Sequence, residues 1–222
     1  MRLARIQPSR RVWIFDLDNT LHDAGARIFP AMHEQINAYL RRYFGVDEAA
    51  ADSIRQKFWR THGTTLNGLM RHHGADPRHF LRETHVFPEL AGMVVRENAL
   101  KHALRLLGGT KLVFSNAPRH YVKEVLRAIG LDRYFDAVYS IEDARFRGKP
   151  AAHGFHMLLR KHHLDAHRCA FIDDALENLR AAHRLGMSTV WVSTAPRKVP
   201  FVDLRVASVI ELPRLVFRTS SA

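Results

Sequence analysis

Four short polar motifs in this chain have residue types that could do chemistry, and three of them directly follow a short apolar run. They are, in chain order, Asp16 with Asp18, Ser115 with Asn116, Lys149, and Asp173 with Asp174. Two carboxylates about 4 Å apart repel each other by roughly 4 kcal/mol at an effective dielectric of about 20. If these motifs meet in one cleft, their carboxylates need either protons or a cation, because one ammonium group cannot offset their combined charge.

The donor atoms of these motifs favour a magnesium ion that also contacts a phosphate group. Oxygen donors without cysteine or histidine among them suit Mg²⁺, which binds few carboxylates and keeps waters and substrate phosphate as its other ligands. An EF-hand calcium loop starting at Asp16 is excluded, because its sixth position is Leu21 rather than glycine and its twelfth is Arg27 rather than glutamate. The motifs therefore predict a magnesium–phosphate site.

A carboxylate of the first motif could act as a nucleophile toward phosphorus. If strand geometry persists through Leu17, Asp16 and Asp18 project to the same side, so that one attacks while the other handles the leaving-group proton. Mg²⁺ and Lys149 would neutralise the equatorial phosphoryl oxygens, and Ser115 would add a hydrogen bond.

Each motif taken alone also has a simpler interpretation. The first acidic pair suits an ordinary acidic strand end. Asp173 and Asp174 suit the N-terminus of a following helix, and Lys149 suits an exposed surface charge. Only the occurrence of all the motifs together, in this order, favours one shared site.

The elements that must position the motifs are predicted from apolar patterning. The predicted strands are Val12–Phe15, Leu112–Phe114, Ala137–Tyr139, Cys169–Ile172 and Thr189–Val192, with a further edge strand at Ala207–Ile210. Amphipathic helices separate the strands from about residue 96 onward. This alternation predicts an α/β fold, a Rossmann-like parallel sheet covered by helices on both faces. Ligands bind beyond the carboxyl ends of such strands, where the motifs fall.

A helical module interrupts this pattern between the first two strands. Met32, Ile36 and Leu40 keep helical spacing, and Asp76 followed by Pro77 is typical of a helix start. The sequence therefore predicts a Rossmann-like core formed by residues 1–21 and 93–222, with an inserted α-helical domain at residues 22–92.

Composition and charge limit the other classes of protein. The 222 residues are 46% hydrophobic and 25% charged, which excludes a disordered or collagen-like chain, and the single cysteine excludes a disulfide framework. No apolar run is long enough to span a membrane or form a secretory leader, so we expect a cytoplasmic protein. The net charge of +12 is compatible with nucleic-acid binding, but the basic residues are scattered, and we expect no stable nucleic-acid partner.

The motifs resemble those of the haloacid dehalogenase-like (HAD) superfamily of phosphohydrolases over nearly the whole chain. VWIFDLDNT resembles the first motif of that superfamily, LVFSNA the second, the Lys149 turn the third, and FIDDALEN the fourth. The resemblance implies that Asp16 is a nucleophile forming an aspartyl-phosphate, and that Asp18 protonates the leaving oxygen and then activates water. It further implies that Ser115 and Lys149 hold the phosphoryl group and that Asn116 lies close to the substrate.

The same resemblance implies how Mg²⁺ would be bound and what the inserted domain does. The metal ligands would be the Asp16 carboxylate, the Asp18 backbone carbonyl and Asp174, with Asp173 binding directly or through water. The role of Asn178 stays open, because many members carry an acidic residue at that position. The helical insertion would be a C1-type cap, a lid that selects the substrate.

Several cap segments resemble bacterial and fungal pyrimidine 5′-nucleotidases of this superfamily. The similar segments are Tyr43-Phe44-Gly45, THGTTLNGLM and, in the core, SNAPRHYVKEVLRAIGL. They imply a Mg²⁺-dependent hydrolase of UMP or CMP, acting as a monomer or homodimer, with Thr64, Thr65 and Asn67 as candidate substrate contacts. Those three residues equally suit a helix N-terminus that begins near Leu66.

Alternative functions remain at this point. One is a phosphatase for a sugar phosphate or another small phosphometabolite. The others are a phospho-accepting signalling module and a basic nucleic-acid-binding protein. A receiver-type signalling module would carry its acidic pair after the first strand and its acceptor after the third, which is not the order found here.

Overall fold

The computed structural model describes residues 11–218 and contains one parallel sheet. Its strands are β1 (Val12–Phe15), β2 (Thr110–Phe114), β3 (Ala137–Tyr139), β4 (Cys169–Asp173), β5 (Ser188–Val192) and β6 (Leu204–Val206). The spatial order is β3-β2-β1-β4-β5-β6, and every neighbouring pair is parallel. The predicted α/β class with an inserted helical region is confirmed.

The helices divide between two compact units of the chain. They are α1 (Ile28–Phe44), α2 (Glu48–His62), α3 (Thr65–His73), α4 (Pro77–Thr84), α5 (Leu90–Met93), α6 (Asn98–Leu106), α7 (Arg119–Ile129), α8 (Ala152–Lys161), α9 (Leu176–Arg184) and α10 (Leu212–Arg218). Residues 24–93 form a helical unit containing α1 to α5, and the sheet unit comprises the remainder on either side. In the described part of the chain, no helix has the length and apolar character needed to cross a membrane.

The strand order creates a switch point beside β1. From β1 the chain runs outward through β2 to β3, then returns to the opposite side of β1 to form β4. Connections that leave in opposite directions open a crevice at the carboxyl ends of the two central strands. In the registers, Phe15 lies opposite Val113 of β2 and Ile172 of β4, so the strands end almost level with one another.

The core of the sheet unit is built from the apolar strand residues that define β1, β2 and β4. All four residues of β1 are buried, as expected for a strand covered on both faces. Beneath the sheet, the ring of Phe155 packs edge-on against Phe114 at 5.3 Å and Phe171 at 5.1 Å between centroids. This packing makes the strand ends a rigid support for the polar residues that follow them.

The helical unit has regular helix starts that its sequence encodes. The side chains of Asp47, Thr64 and Asp76 accept hydrogen bonds from backbone N–H groups in the first turns of α2, α3 and α4. Pro77 occupies the first turn of α4, as the sequence predicts. Within this unit α2 packs tightly on α3, since a Cβ added to Gly68 would lie 2.3 Å from the Phe58 ring.

The predicted edge strand at Ala207–Ile210 is wrong. The sixth strand lies earlier, at Leu204–Val206, and Val209–Glu211 form a 3₁₀ turn that leads into α10. The reason is local, because the Ser208 hydroxyl accepts a hydrogen bond from the Ile210 backbone N–H and starts the turn. The apolar residues of this segment are used all the same: Val209 and Leu212 are buried in the sheet unit.

Candidate active site

The nucleophile candidate Asp16 is the first residue after β1. Its backbone N–H still donates to the Ile172 carbonyl of β4 at 2.8 Å, so the strand fixes its position although β1 has ended. The chain then turns sharply, with Asn19 in the left-handed region at φ 59° and the Leu21 N–H bonded to the Leu17 carbonyl at 2.9 Å. The turn keeps Asp16 and the residues that follow it at this edge of the sheet.

Lys149 lies between two of the predicted carboxylates. Its Nζ is 2.6 Å from Asp16 Oδ1 and 2.9 Å from Asp173 Oδ2. The side chains of Lys149 and Asp173 are almost fully buried, and Asp16 is mostly buried. The structure therefore brings Asp16 together with two residues that lie more than a hundred positions further along the sequence, as the strand-end argument predicts.

The charges at this point are not balanced by the ammonium alone. Burial raises the pKa of Asp16 well above its ordinary value, and repulsion from Asp173 and Asp18 adds to the shift, although Lys149 acts against it. Burial by itself would lower the pKa of Lys149, but the attraction of Asp16 and Asp173 outweighs it and the pKa is raised. The site is thus short of positive charge.

A third carboxylate completes the acidic group. Carboxylate oxygens of Asp16, Asp173 and Asp174 lie within 4.8 Å of one another. Burial and repulsion from Asp173 raise the pKa of Asp174 to about 6. On the next strand, the Trp191 indole N–H donates to the Asp174 backbone carbonyl at 2.9 Å and fixes the loop after β4. An all-oxygen donor set with a surplus of negative charge fits a hard divalent cation such as Mg²⁺.

Asp173 is held by several donors besides Lys149. Its Oδ1 accepts from the Ala175 backbone N–H at 2.8 Å, and the Asn178 amide lies 3.1 Å from both carboxylate oxygens. Asn178 is the third residue of α9, in its first turn, so its amide can reach back to the end of β4. The role of Asn178, which the sequence leaves open, is therefore to hold the Asp173 carboxylate with a neutral amide donor. An acidic side chain at this position would instead repel Asp173.

The loop that carries Lys149 is tethered by Asn116. The Asn116 amide donates to the Lys149 carbonyl at 2.8 Å, and its Oδ1 accepts from the Lys149 N–H at 2.8 Å. A Cβ on Gly148 would lie 2.1 Å from that same Oδ1, so glycine is required for this close approach. The Lys149 ammonium also lies 5.4 Å from the ring centres of Phe114 and Phe171.

Ser115 and Asn116, the two predicted site residues after β2, both form hydrogen bonds with backbone groups of the protein. Ser115 is buried, and its hydroxyl accepts a hydrogen bond from the Ala117 N–H at 3.0 Å. Both polar ends of the Asn116 amide are engaged by the Lys149 backbone. Ser115 follows β2, the neighbour of β1, and its contact with a phosphoryl group stays a prediction, as does substrate binding by Asn116.

Asp18 has two partners that sequence reasoning missed. The Tyr121 hydroxyl donates to Asp18 Oδ1 at 2.6 Å, and His22 Nε2 lies 3.0 Å from the same oxygen. Burial and the neighbouring Asp18 carboxylate raise the pKa of Tyr121 far above its ordinary value. The spacing of four residues between Asp18 and His22 is a weak sequence signal, and Tyr121 carries none, since it reads as an ordinary apolar position of α7.

The three candidate substrate contacts of the helical unit are engaged within that unit. The Thr64 hydroxyl accepts from the Asn67 N–H at 3.0 Å, which is the N-cap of α3. The buried Thr65 hydroxyl donates to the Arg55 carbonyl at 3.4 Å, and the Asn67 amide donates to the His62 carbonyl at 3.1 Å. The helix-start interpretation of these residues is confirmed, and their contact with a substrate stays a prediction.

Comparison of the sequence with known protein families shows to which family the chain belongs. Residues 11–186 match the family of haloacid dehalogenase-like hydrolases. The chain belongs to this family. The match includes all four polar motifs and the whole helical insertion, which is consistent with the C1 cap of the family.

Two curated proteins show moderate sequence similarity to this family member. N-acylneuraminate-9-phosphatase of Mus musculus is 25% identical over 242 aligned positions, covering 97% of this chain and 96% of the mouse protein. Phosphate metabolism protein 8 of Saccharomyces cerevisiae is 23% identical over 200 positions that cover 82% of this chain. The aligned part spans only 61% of the yeast protein.

Solved structures share the fold at lower identity. A HAD phosphatase from Thermococcus onnurineus superposes with a TM-score of 0.67 at 18% identity, covering 93% of this chain and 97% of that one. The HAD-hydrolase YfnB from Bacillus subtilis, crystallised with magnesium, superposes with a TM-score of 0.58 at 21% identity, covering 93% and 98%. These likenesses concern the fold alone.

Proposed function

We propose that this HAD hydrolase is a Mg²⁺-dependent phosphomonoesterase for a phosphorylated sugar or another small phosphometabolite, working through an aspartyl-phosphate at Asp16. The observation that carries the proposal is the position of the Lys149 ammonium, 2.6 Å from Asp16 Oδ1 and 2.9 Å from Asp173 Oδ2. An ammonium there steadies the nucleophile and can stabilise the negative charge on the oxygens of a phosphoryl group.

In the first step an Asp16 carboxylate oxygen attacks phosphorus and the bond from phosphorus to the ester oxygen breaks. The electron pair of that bond goes to the leaving oxygen, which takes a proton from Asp18. Lys149 and the Ser115 hydroxyl hold the phosphoryl oxygens as their charge changes.

In the second step a water oxygen attacks the phosphorus of the aspartyl-phosphate. Asp18, now ionised, takes the water proton, and the bond between phosphorus and the Asp16 oxygen breaks to release inorganic phosphate. Lys149 again stands beside Asp16 and stabilises the carboxylate that is restored.

Mg²⁺ fits this site because the donors are oxygen atoms and the carboxylates outnumber the cations. The residues that would hold it are Asp16, Asp174 and the Asp18 backbone carbonyl, with Asp173 directly or through water. When bound, the ion neutralises charge on the phosphoryl oxygens and allows the phosphate dianion to approach the Asp16 carboxylate.

The sugar-phosphate assignment is favoured over the pyrimidine nucleotides by the relatives. The mouse protein that aligns along nearly the whole chain is named for a phosphorylated N-acylneuraminate rather than a nucleotide. The strongly basic chain, with a net charge of +12, also suits an anionic substrate. In this proposal residues 22–92 serve as the cap that selects the substrate, with Thr64, Thr65 and Asn67 as the candidate contacts.

A substrate panel tests the proposal. Phosphate release is measured with an N-acylneuraminate 9-phosphate, a hexose phosphate, UMP and CMP, each with Mg²⁺ and with a chelator, for the native chain and Asp16→Asn. We expect Mg²⁺-dependent release from a sugar phosphate and none from Asp16→Asn. A marked preference for UMP or CMP would replace the substrate assignment, whereas undiminished activity of Asp16→Asn would reject the mechanism.

A further inference from the structure

We propose that Tyr121 and His22 are positioning residues that confine the transferable proton of Asp18 to its Oδ2 atom. The inference rests on the proposed function, in which Asp18 protonates the leaving oxygen. It assigns different roles to the two oxygens of the Asp18 carboxyl group. Oδ1 accepts hydrogen bonds from the protein, and Oδ2 carries the proton that is transferred to the leaving oxygen.

Both donors converge on the same oxygen. Tyr121 Oη lies 2.6 Å and His22 Nε2 3.0 Å from Asp18 Oδ1. Among the residues from 11 to 218, Oδ2 has no hydrogen-bond partner. Tyr121 is completely buried and the His22 side chain is 1% exposed, whereas 16% of the Asp18 side chain remains exposed.

The direction of these hydrogen bonds follows from the chemistry of the groups. A phenol is protonated at neutral pH, and an ionised carboxylate only accepts, so the Tyr121 hydroxyl must donate. By the same reasoning His22 Nε2 must carry its hydrogen, because a bare nitrogen lone pair would face a carboxylate oxygen. The two lone pairs of Oδ1 are then both occupied, and a proton taken up by Asp18 is placed on Oδ2.

The orientation of the His22 ring leaves one of its nitrogen atoms unsatisfied, which lowers the stability of the fold. With Nε2 turned to Asp18, the other ring nitrogen of His22, Nδ1, is buried and has no hydrogen-bond partner in the described structure. A buried polar atom without a hydrogen-bond partner lowers the stability of the fold. A leucine at position 22 would avoid that cost, so the histidine is better explained by the donor that it supplies to Asp18.

The local fold supplies both donors from separate elements. Asp18 and His22 belong to the sharp turn after β1, in which they also form an isolated backbone bridge. Tyr121 belongs to the first turn of α7, which follows β2. Since β1 and β2 are hydrogen-bonded neighbours in the sheet, Asp18 is held between two elements of the same compact unit.

Two substrates whose leaving groups differ in their need for a proton can show whether Asp18 is positioned as an acid. A nitrophenolate leaves without a proton, whereas an alkoxide needs one, so the proton on Asp18 matters for glycerol phosphate and hardly at all for p-nitrophenyl phosphate. We measure kcat/KM for both, because this ratio covers the steps up to transfer of the phosphoryl group to Asp16. General acid catalysis contributes about 10²–10⁴-fold, and loss of positioning alone should remove about 10- to 100-fold.

Tyr121→Phe is the primary variant, and it removes a single oxygen from a buried ring. We expect kcat/KM to fall about 10- to 100-fold for glycerol phosphate and less than about threefold for p-nitrophenyl phosphate. With the aryl ester, a burst of nitrophenolate should precede a slower steady state, because hydrolysis of the aspartyl-phosphate still needs Asp18 as a base. The matched control is Tyr139→Phe, which removes another buried phenol whose hydroxyl donates to the Asp143 carbonyl at 2.9 Å.

The histidine is tested by an independent pair of variants. His22→Leu removes the donor and should repeat the selective loss on glycerol phosphate, while His22→Gln offers an amide N–H and should recover part of it. Equal losses on both esters in Tyr121→Phe and His22→Leu, or no loss in either, would overturn the inference. Asp16→Asn separates this outcome from failure of the proposed function, since that variant must be inactive on both esters if the function holds.

Discussion

The ammonium of Lys149 lies 2.6 Å from Asp16 Oδ1, although the two residues come from loops after β3 and β1, which are not adjacent strands. The contact depends on Asn116, which holds the Lys149 backbone from the intervening strand β2 through two 2.8 Å hydrogen bonds. Three neighbouring strands thus cooperate to place one cation beside the nucleophile.

Replacing Lys149 should damage both stability and activity. Lys149→Met leaves the buried carboxylates of Asp16 and Asp173 without their counter-charge, which we expect to destabilise the fold by about 3–5 kcal/mol. The kcat should fall at least about 10²- to 10³-fold because the phosphoryl charge loses a fixed partner. Chemical denaturation and steady-state kinetics measure the two effects.

The control for that variant is Lys161→Met. Lys161 also pairs with a carboxylate, at 2.6 Å from Asp143 Oδ1, but its side chain is 49% exposed. An exposed ion pair is worth about 0–1 kcal/mol, so this variant should stay close to the native chain in both measurements. Similar losses in the two variants would show that the position of Lys149 has no special importance.

Asp174→Asn should separate stability from function. Removing one charge from the crowded carboxylates relieves repulsion and burial of an ionised group, so the metal-free protein should gain ~1–2 kcal/mol in free energy of unfolding. Loss of a metal ligand should lower Mg²⁺-dependent kcat/KM by at least about 100-fold. A variant that is both less stable without metal and fully active would be incompatible with the proposed role of Asp174.

Stabilisation by Mg²⁺ should depend on pH through Asp174. Its pKa is raised to about 6 in the folded metal-free protein from an ordinary value of 3.8, so the folded state holds this proton more tightly than the unfolded state. Ionised Asp174 therefore costs stability above the folded pKa, and that cost is relieved as the pH falls through it. Mg²⁺ binds the ionised form, so it should raise the melting temperature more at about pH 7.5 than at about pH 5.

Thermal melts with and without Mg²⁺ at the two pH values measure this effect. In Asp174→Asn the dependence of the Mg²⁺ shift on pH should become weaker without vanishing, because the pKa of the other carboxylate ligand, Asp16, is also raised above its ordinary value. An Mg²⁺ shift that is the same at both pH values in the native chain would contradict the assignment of Asp174 as a ligand.

Asn178 should act through the orientation of Asp173. Asn178→Leu removes an amide that lies 3.1 Å from both oxygens of Asp173 and should lower kcat about 3- to 30-fold with little change in KM. Asn178→Asp places a like charge against Asp173 and should lower the stability of the metal-free protein, with part of that loss recovered in Mg²⁺. Denaturation curves with and without the metal measure the second effect.

The sequence is sufficient to predict the parallel sheet and to predict that Asp16, Lys149 and Asp173 lie close together. Short apolar strands that each end in a polar residue leave few alternatives once the strands are parallel. It was not sufficient for the last strand, where the Ser208 hydroxyl starts a turn within an apolar run that suits either structure. A strand and a 3₁₀ turn would bury similar apolar surface here, so the local hydrogen bond of Ser208 decides which of them forms.

The partners of Asp18 illustrate a second limit. Tyr121 fits the apolar face of α7 as well as phenylalanine would, so its hydroxyl leaves no trace in the hydrophobic pattern. Asn116 was interpreted from its position after β2, but its amide holds the Lys149 loop, which depends on where a distant segment folds back. Such roles depend on three-dimensional contacts between segments and become visible only with the structure.

The most direct test of the account is to trap the covalent intermediate. The protein is mixed with a phosphomonoester substrate and Mg²⁺, quenched within a single turnover and treated with borohydride, which reduces an acyl phosphate to an alcohol. Peptide mass spectrometry of the tryptic fragment of residues 12–27, which contains Asp16, Asp18 and Asp23, then locates the change. The account predicts homoserine at position 16 alone and only when substrate is present; reduction at another aspartate, or phosphate release without any reduced residue, would contradict it.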